Sequence, residues 1–235
     1  MSEAAIADDG DAAPAIAEVR AAAQAGDVDA QALYAQALAE GRGVARDAAE
    51  ALHWYALAAN SGHAQAMNML GRCHELGVGT AMNADLAAAW YRKAAAKGSD
   101  WGMYNIAQLL GAGRGVAQDR SQALAWYRRA AERGHAKSMN MLGRHYDEGW
   151  AVERDAAVAA EWYRRAAHAG DFRGQVSHAS LLMQQGDAEA AVQWLRRAAE
   201  TAPPAFLERL LDDLGHSAHA VLRGEAERLR RRCEG

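Results

Sequence analysis

Apolar residues along this chain fall at helical spacing, and the same spacing then returns in blocks. Ala123, Trp126, Tyr127, Ala130 and Ala131 stand at i, i+3, i+4, i+7 and i+8. Those offsets place all five on one stripe of an α-helix. The Trp-Tyr pair in that stripe also occurs at Trp54-Tyr55, Trp90-Tyr91 and Trp162-Tyr163, each 36 residues from the next. Alanine pairs follow in register at Ala58-Ala59, Ala94-Ala95, Ala130-Ala131 and Ala166-Ala167, and glycines at Gly62, Gly98, Gly134 and Gly170. A second glycine column runs through Gly41, Gly77, Gly113 and Gly149. No stretch alternates apolar with polar residues as a half-buried strand would.

One unit read in detail predicts two helices. The first runs from about Asp100 to Leu110 and stops at Gly111, Gly113 and Gly115, where glycine supplies the left-handed backbone that ends a helix. Val116 is a lone apolar residue in the loop, placed to plug the end of the pair. Asp119 sits at the N-cap of the second helix, with Asp47, Asn83 and Asp155 as its counterparts. Gly134 ends that helix and the pattern restarts. Such a unit is too small to bury its own stripe, so neighbours must stack. Trp54, Trp90, Trp126, Trp162 and Trp194 are expected to form the structural repeat core, with the alanine columns letting helices approach.

The predicted fold is all-α, a right-handed α-solenoid of stacked helix-turn-helix repeats. Residues 1–13 read as a flexible acidic N-terminus, 14–27 as a lone half-repeat helix, and 28–170 as four repeats of 36 residues. Residues 171–200 form a shortened fifth repeat (Trp162 to Trp194 is 32 residues), and 201–235 read as capping helices with a basic tail. About half of the 235 residues are hydrophobic, much of that alanine, the best helix former. A net charge of −4 is too mild to imply a nucleic-acid or acidic-lipid partner. Two cysteines, Cys73 and Cys233, cannot build a disulfide framework, which points to a reducing compartment. The start lacks the basic and apolar pattern of a secretory signal, and no apolar run offers a membrane span. A cytoplasmic protein is expected.

The second repeat supplies Ala66, Leu70, Gly71, Gly77, Gly79, Asn83, Ala87, Trp90, Tyr91, Ala94, Ala95 and Gly98. This multi-column pattern resembles the Sel1-like repeat, a relative of the tetratricopeptide repeat. The resemblance implies an interaction scaffold or adaptor that holds a protein or peptide partner, with no cofactor. It also implies that the first helices of the repeats line a concave groove. The variable positions on those helices are Asn68, Arg72 and Glu75 in the second repeat, Trp101, Tyr104 and Gln108 in the third, and Asn140, Arg144 and Asp147 in the fourth. Asparagine amides hold an extended peptide backbone, arginine grips a carboxylate through two bonds, and the aromatic pair offers an anchor.

Two other functions compete with this one. Some cysteine-rich members of the resembled family are linked to penicillin or cell-wall chemistry, but their regularly spaced cysteines are missing here. No catalytic Ser-x-x-Lys, His-Glu-x-x-His or Gly-x-Ser-x-Gly motif stands in the chain. Cys73, His74 and His145 lack zinc-ligand spacing, so no metal site and no catalytic residue are expected. A nucleic-acid binder would need a basic groove, and the charges on these helices are mixed.

Overall fold

The computed structural model describes residues 9–234, with side chains over 15–232. The first eight residues of the acidic N-terminal stretch therefore lie outside the described part. Among the described residues the chain is all-α, with thirteen helices. They are α1 (Asp9–Gln24), α2 (Val28–Glu40), α3 (Ala48–Asn60), α4 (Ala64–Leu76), α5 (Ala84–Ala96), α6 (Asp100–Ala112), α7 (Arg120–Glu132), α8 (Ala136–Glu148), α9 (Ala156–His168), α10 (Phe172–Gln184), α11 (Ala188–Thr201), α12 (Pro204–Gly215) and α13 (Ala220–Glu234). Helix α1 starts at Asp9, ahead of Pro14, where a helix start was expected.

Local chemistry sets most of these boundaries. Asp47 accepts hydrogen bonds from the amides of Ala49 and Glu50, both at 2.9 Å, and so caps α3. Asn83, Asp119 and Asp155 cap α5, α7 and α9 in the same column. The first helix of a repeat uses a different set. Asp27, His63, Ser99, His135 and Asp171 occupy that column, and His63 accepts from Ala66 N through Nδ1 at 3.0 Å. A cap that accepts at Nδ1 fixes the tautomer with its proton on Nε2. Gly41, Gly77, Gly113 and Gly149 end the first helices with φ between 69° and 73°, the left-handed cap.

The packing divides the chain into two compact units, Met1–Trp126 and Tyr127–Gly235. In the N-terminal unit α1 to α6 pack in sequence, each helix on the next, and α4 also meets α6. In the C-terminal unit α8 to α11 do the same, and α12 and α13 close on each other while α13 also meets α11. The C-terminal cluster is led by Leu195, Leu210, Leu211, Leu214 and Leu229. Next to it, the buried Glu225 carboxylate (1 % exposed) accepts from Arg196 at 2.7 and 2.8 Å and pairs with Arg228 at 2.9 Å. Arg230 pairs with Asp212 at 2.7 Å, so part of the basic tail is engaged within the helical cap.

The tryptophans are not the innermost residues of the stripe. Trp54, Trp90, Trp126, Trp162 and Trp194 are each half-buried, whereas Tyr55, Tyr91, Tyr127 and Tyr163, one position on from the first four, are buried. One residue turns a helix by about 100°, which carries the tyrosine ring inward and leaves the indole on the flank. There the indoles serve as platforms for cations, with Lys93 4.0 Å above Trp90, Arg165 4.2 Å above Trp162 and Arg197 4.6 Å above Trp194. Two of the tyrosine rings press onto glycine. A methyl at Gly71 would stand 2.7 Å from Tyr91, and one at Gly143 would stand 2.7 Å from Tyr163.

Candidate functional site

The first-helix face can be built residue by residue within each compact unit. Asn68, Arg72 and Glu75 on α4 stand at i, i+4 and i+7 and so share a face. They do not share a role. Asn68 is only 2 % exposed, and its Oδ1 accepts from Asn105 Nδ2 of α6 at 2.9 Å. The amide ties neighbouring first helices together instead of facing a partner. This corrects the expectation that the Asn68 amide is offered to the backbone of a partner.

Glu75 is also engaged. It accepts from the Tyr91 hydroxyl at 2.6 Å and from Arg114 at 3.0 Å. Burial, and then the Glu75 carboxylate, push the Tyr91 phenol well above its ordinary value. Arg72 stands between Asn68 and Glu75 in sequence, exposed, and makes no ion pair among the described residues. On α6, Trp101 is 41 % exposed and meets the half-buried Tyr104 edge-on at 6.1 Å. Gln108 donates to the Tyr104 hydroxyl at 2.7 Å, which holds that ring in place.

The C-terminal unit repeats this theme with one change. Asn140 is 4 % exposed and accepts from Ser177 Oγ of α10 at 3.4 Å, so it too is a tie between first helices. Asp147 accepts from the Tyr163 hydroxyl at 3.3 Å, and burial with that carboxylate raises the phenol. Arg144, the counterpart of Arg72, lies 5.1 Å above the Trp150 ring. Trp150 is half-buried against His145, whose ring is 5.7 Å away. The loop tryptophan is thus packed, and it holds Arg144.

A signal at double spacing explains this likeness, and the single-period reading missed it. The segment Met-Asn-Met-Leu-Gly-Arg stands at 67–72 and again at 139–144, a period of 72 residues. Repeats two and four are therefore one type. Their glycines, Gly71 and Gly143, admit the tyrosine ring, whereas Ala107 stands in that column of the third repeat. In the third and fifth repeats the close approach moves to Gly102 and Gly174. A methyl at Gly102 would stand 2.7 Å from the Ala94 methyl, and one at Gly174 2.5 Å from that of Ala166.

The first repeat lacks the acid that serves Tyr91, because Ala39 occupies that place. The Tyr55 hydroxyl consequently has no hydrogen-bond partner, and burial pushes its pKa up to about 12. Tyr55 lines a pocket of about 290 Å³ with Ala32, Leu33, Gln36, Ala66 and Met69, bounded by Asp29 and His63. Cys73 is buried and free, and burial raises its thiol pKa. No group of three or more His, Cys, Asp or Glu able to hold a metal stands among the described residues. No helix there is long and apolar enough to cross a membrane.

Known proteins share this repeat geometry. The Sel1 repeat matches residues 28–63, 64–99, 102–135, 136–171 and 180–200. No curated protein matches the chain in sequence. Among solved structures, a protective antigen of uropathogenic Escherichia coli with an SLR fold is 32 % identical, with a TM-score of 0.73 over 93 % of this chain and 48 % of that one. The chain thus spans about half the length of that relative. A Sel1 repeat protein from Oxalobacter formigenes is 26 % identical, with a TM-score of 0.73 over 94 % of this chain and 98 % of that one. An immunity protein from Pseudomonas aeruginosa, at 19 % identity, shares the fold with a TM-score of 0.61 over 87 % of this chain and 78 % of that one. With its repeats matched over most of its length, the chain belongs to the Sel1 repeat family.

Proposed function

We propose that this protein is a non-enzymatic adaptor that holds a protein or peptide partner on the first-helix faces of its repeats. The observation that carries the reading is Arg72. It is an exposed guanidinium on α4 left without a carboxylate, because Glu75 is taken by Tyr91 and Arg114. Unpaired arginine and exposed aromatic surface are residue types enriched in interaction hot spots. Trp101, Tyr104 and Gln108 supply that surface on α6. In the C-terminal unit Arg144 is the corresponding contact, presented on the Trp150 ring. In this reading Asn68, Asn140, Glu75 and Asp147 are engaged within the repeats and do not touch the partner. A cytoplasmic setting belongs to the same reading, supported by the free thiol of Cys73.

Affinity purification with the tagged protein from its native cells tests this. Wild-type protein is expected to retain a specific partner, and Arg72→Glu combined with Arg144→Glu to release it while the circular dichroism spectrum stays helical. Retention of the same partner by the folded double variant would overturn the assignment of these faces.

A further inference from the structure

We propose that the pocket between α2 and α4 takes one large apolar side chain of an extended partner segment, and that Arg72 binds an Asp or Glu two residues along that segment. The proposal rests on the adaptor reading and gives it a ligand chemistry. Three observations within the N-terminal unit support it.

The first is the pocket itself. Its walls include Ala32, Leu33, Ala66, Met69 and the Tyr55 ring, enclosing about 290 Å³. An apolar cavity of about 150 Å³ already takes benzene. Leu33, on the wall, is 55 % exposed, a large apolar side chain left on a helix surface. The second is the Tyr55 hydroxyl, which has no partner although the side chain is almost fully buried. Its counterparts Tyr91 and Tyr163 both donate to an acid on the first helix of their own repeat. Ala39 removes that acid here, so the first repeat keeps an unused phenol donor beneath the pocket.

The third is charge. Arg72 follows Met69 by three residues on α4, one turn along the same side. Each acid nearby already has a polar or charged neighbour. Asp29 stands 3.5 Å from His63 Nε2, Glu40 is held by Gln36 and Arg42, and Glu75 by Tyr91 and Arg114. The net demand at Arg72 is for an anion from outside. Met69 and Arg72 are three residues apart, a helical rise of about 4.5 Å, and side chains two apart on an extended strand lie about 6.6 Å apart on one face. An apolar residue and an acid at i and i+2 are therefore spaced to reach the pocket wall at Met69 and the long Arg72 side chain one turn on.

The test uses capped pentapeptides on the full-length protein labelled with nitrogen-15. The probe is acetyl-Gly-Leu-Gly-Glu-Gly-amide, set against its Leu→Ala and Glu→Gln analogues. Saturable shifts confined to amides of α2, α4 and the Tyr55 turn of α3 are expected with the first peptide, at least fivefold weaker with each analogue and absent in Arg72→Glu. Equal response to the Gln analogue, shifts centred elsewhere, or no response at millimolar peptide overturns the proposal. The exposed substitution Leu33→Glu separates the two readings. Native partner capture unaffected by Leu33→Glu, with no peptide response, removes the pocket and leaves the adaptor. The expected peptide response with no partner captured removes the adaptor and leaves the pocket.

Discussion

Tyr55 and Tyr91 occupy the same column of successive repeats and are both buried, yet removing the hydroxyl from each is expected to change stability in opposite directions. Tyr91 donates to Glu75 at 2.6 Å, and a hydrogen bond to a charged acceptor contributes about 1.5–3 kcal/mol. Glu75 keeps Arg114 after the change, so it is not left without a donor, and Tyr91→Phe should cost about 1.5–2 kcal/mol, the lower part of that range. Tyr55 has no partner, so the folded state already bears the desolvation of its hydroxyl. Replacing such a group with an apolar isostere is neutral or stabilising, and Tyr55→Phe should gain about 0–1 kcal/mol. The two variants should therefore differ by roughly 2 kcal/mol. Urea unfolding followed by far-ultraviolet circular dichroism reads this directly, provided both variants keep the wild-type m value. If Tyr55→Phe destabilises as much as Tyr91→Phe, the Tyr55 hydroxyl has a partner despite Ala39.

Other perturbations follow from backbone and charge. A methyl at Gly79 (φ 71°) would lie 2.2 Å from the Ala48 carbonyl oxygen, whereas one at Gly134 (φ 98°) would meet nothing within 4 Å. Gly134→Ala should cost only the left-handed strain, about 1–2 kcal/mol. Gly79→Ala adds overpacking for a total of about 2–5 kcal/mol, and equal urea midpoints for the two would contradict the close approach. Ala151 is the one non-glycine residue with positive φ among the described residues, at 57°. Ala151→Gly should stabilise by about 0.5 kcal/mol, the relief of left-handed strain less the entropy of glycine; a lower urea midpoint would refute it. Hydrogen bonding from Arg196, with the nearby charge of Arg228, holds Glu225 below its ordinary range. A carboxylate lowered on folding contributes stability that is fully present above its unfolded value, about 4.3, and is lost as pH falls through the folded value. The stability gap between wild type and Glu225→Gln should be large at pH 7 and shrink below about pH 4, and a gap independent of pH would rule out the ion pair as its source.

The repeat architecture was legible because each boundary is written in local chemistry. Caps at Asp47, Asn83, Asp119 and Asp155, and left-handed glycines at Gly41, Gly77, Gly113 and Gly149, act within a few residues of themselves. The stripe was less legible at single-residue resolution. Trp and Tyr are adjacent, both large and aromatic, and only the helix rotation set by the neighbouring helices decides which ring turns inward. Size alone favours tryptophan, and the structure gives the inner place to tyrosine.

The candidate site was harder still, since its meaning depends on residues one repeat away. The run Met67-Asn68-Met69-Leu70 carries no local sign of Asn105, because the pairing that buries Asn68 crosses 37 positions. The two arginines pose the same difficulty. Arg72 and Arg144 lie in identical hexapeptides, so their own surroundings in sequence predict identical roles. What separates them is the loop that follows. Position 150 is Trp, which takes the Arg144 guanidinium onto its ring, while position 78 is Val, which offers no such face. A cation already resting on an aromatic ring gains less from a new carboxylate than one with no ring contact to leave. Under the proposed function Arg72 is therefore expected to bind an anionic partner group more strongly than Arg144, a ranking set by one loop residue outside the shared motif.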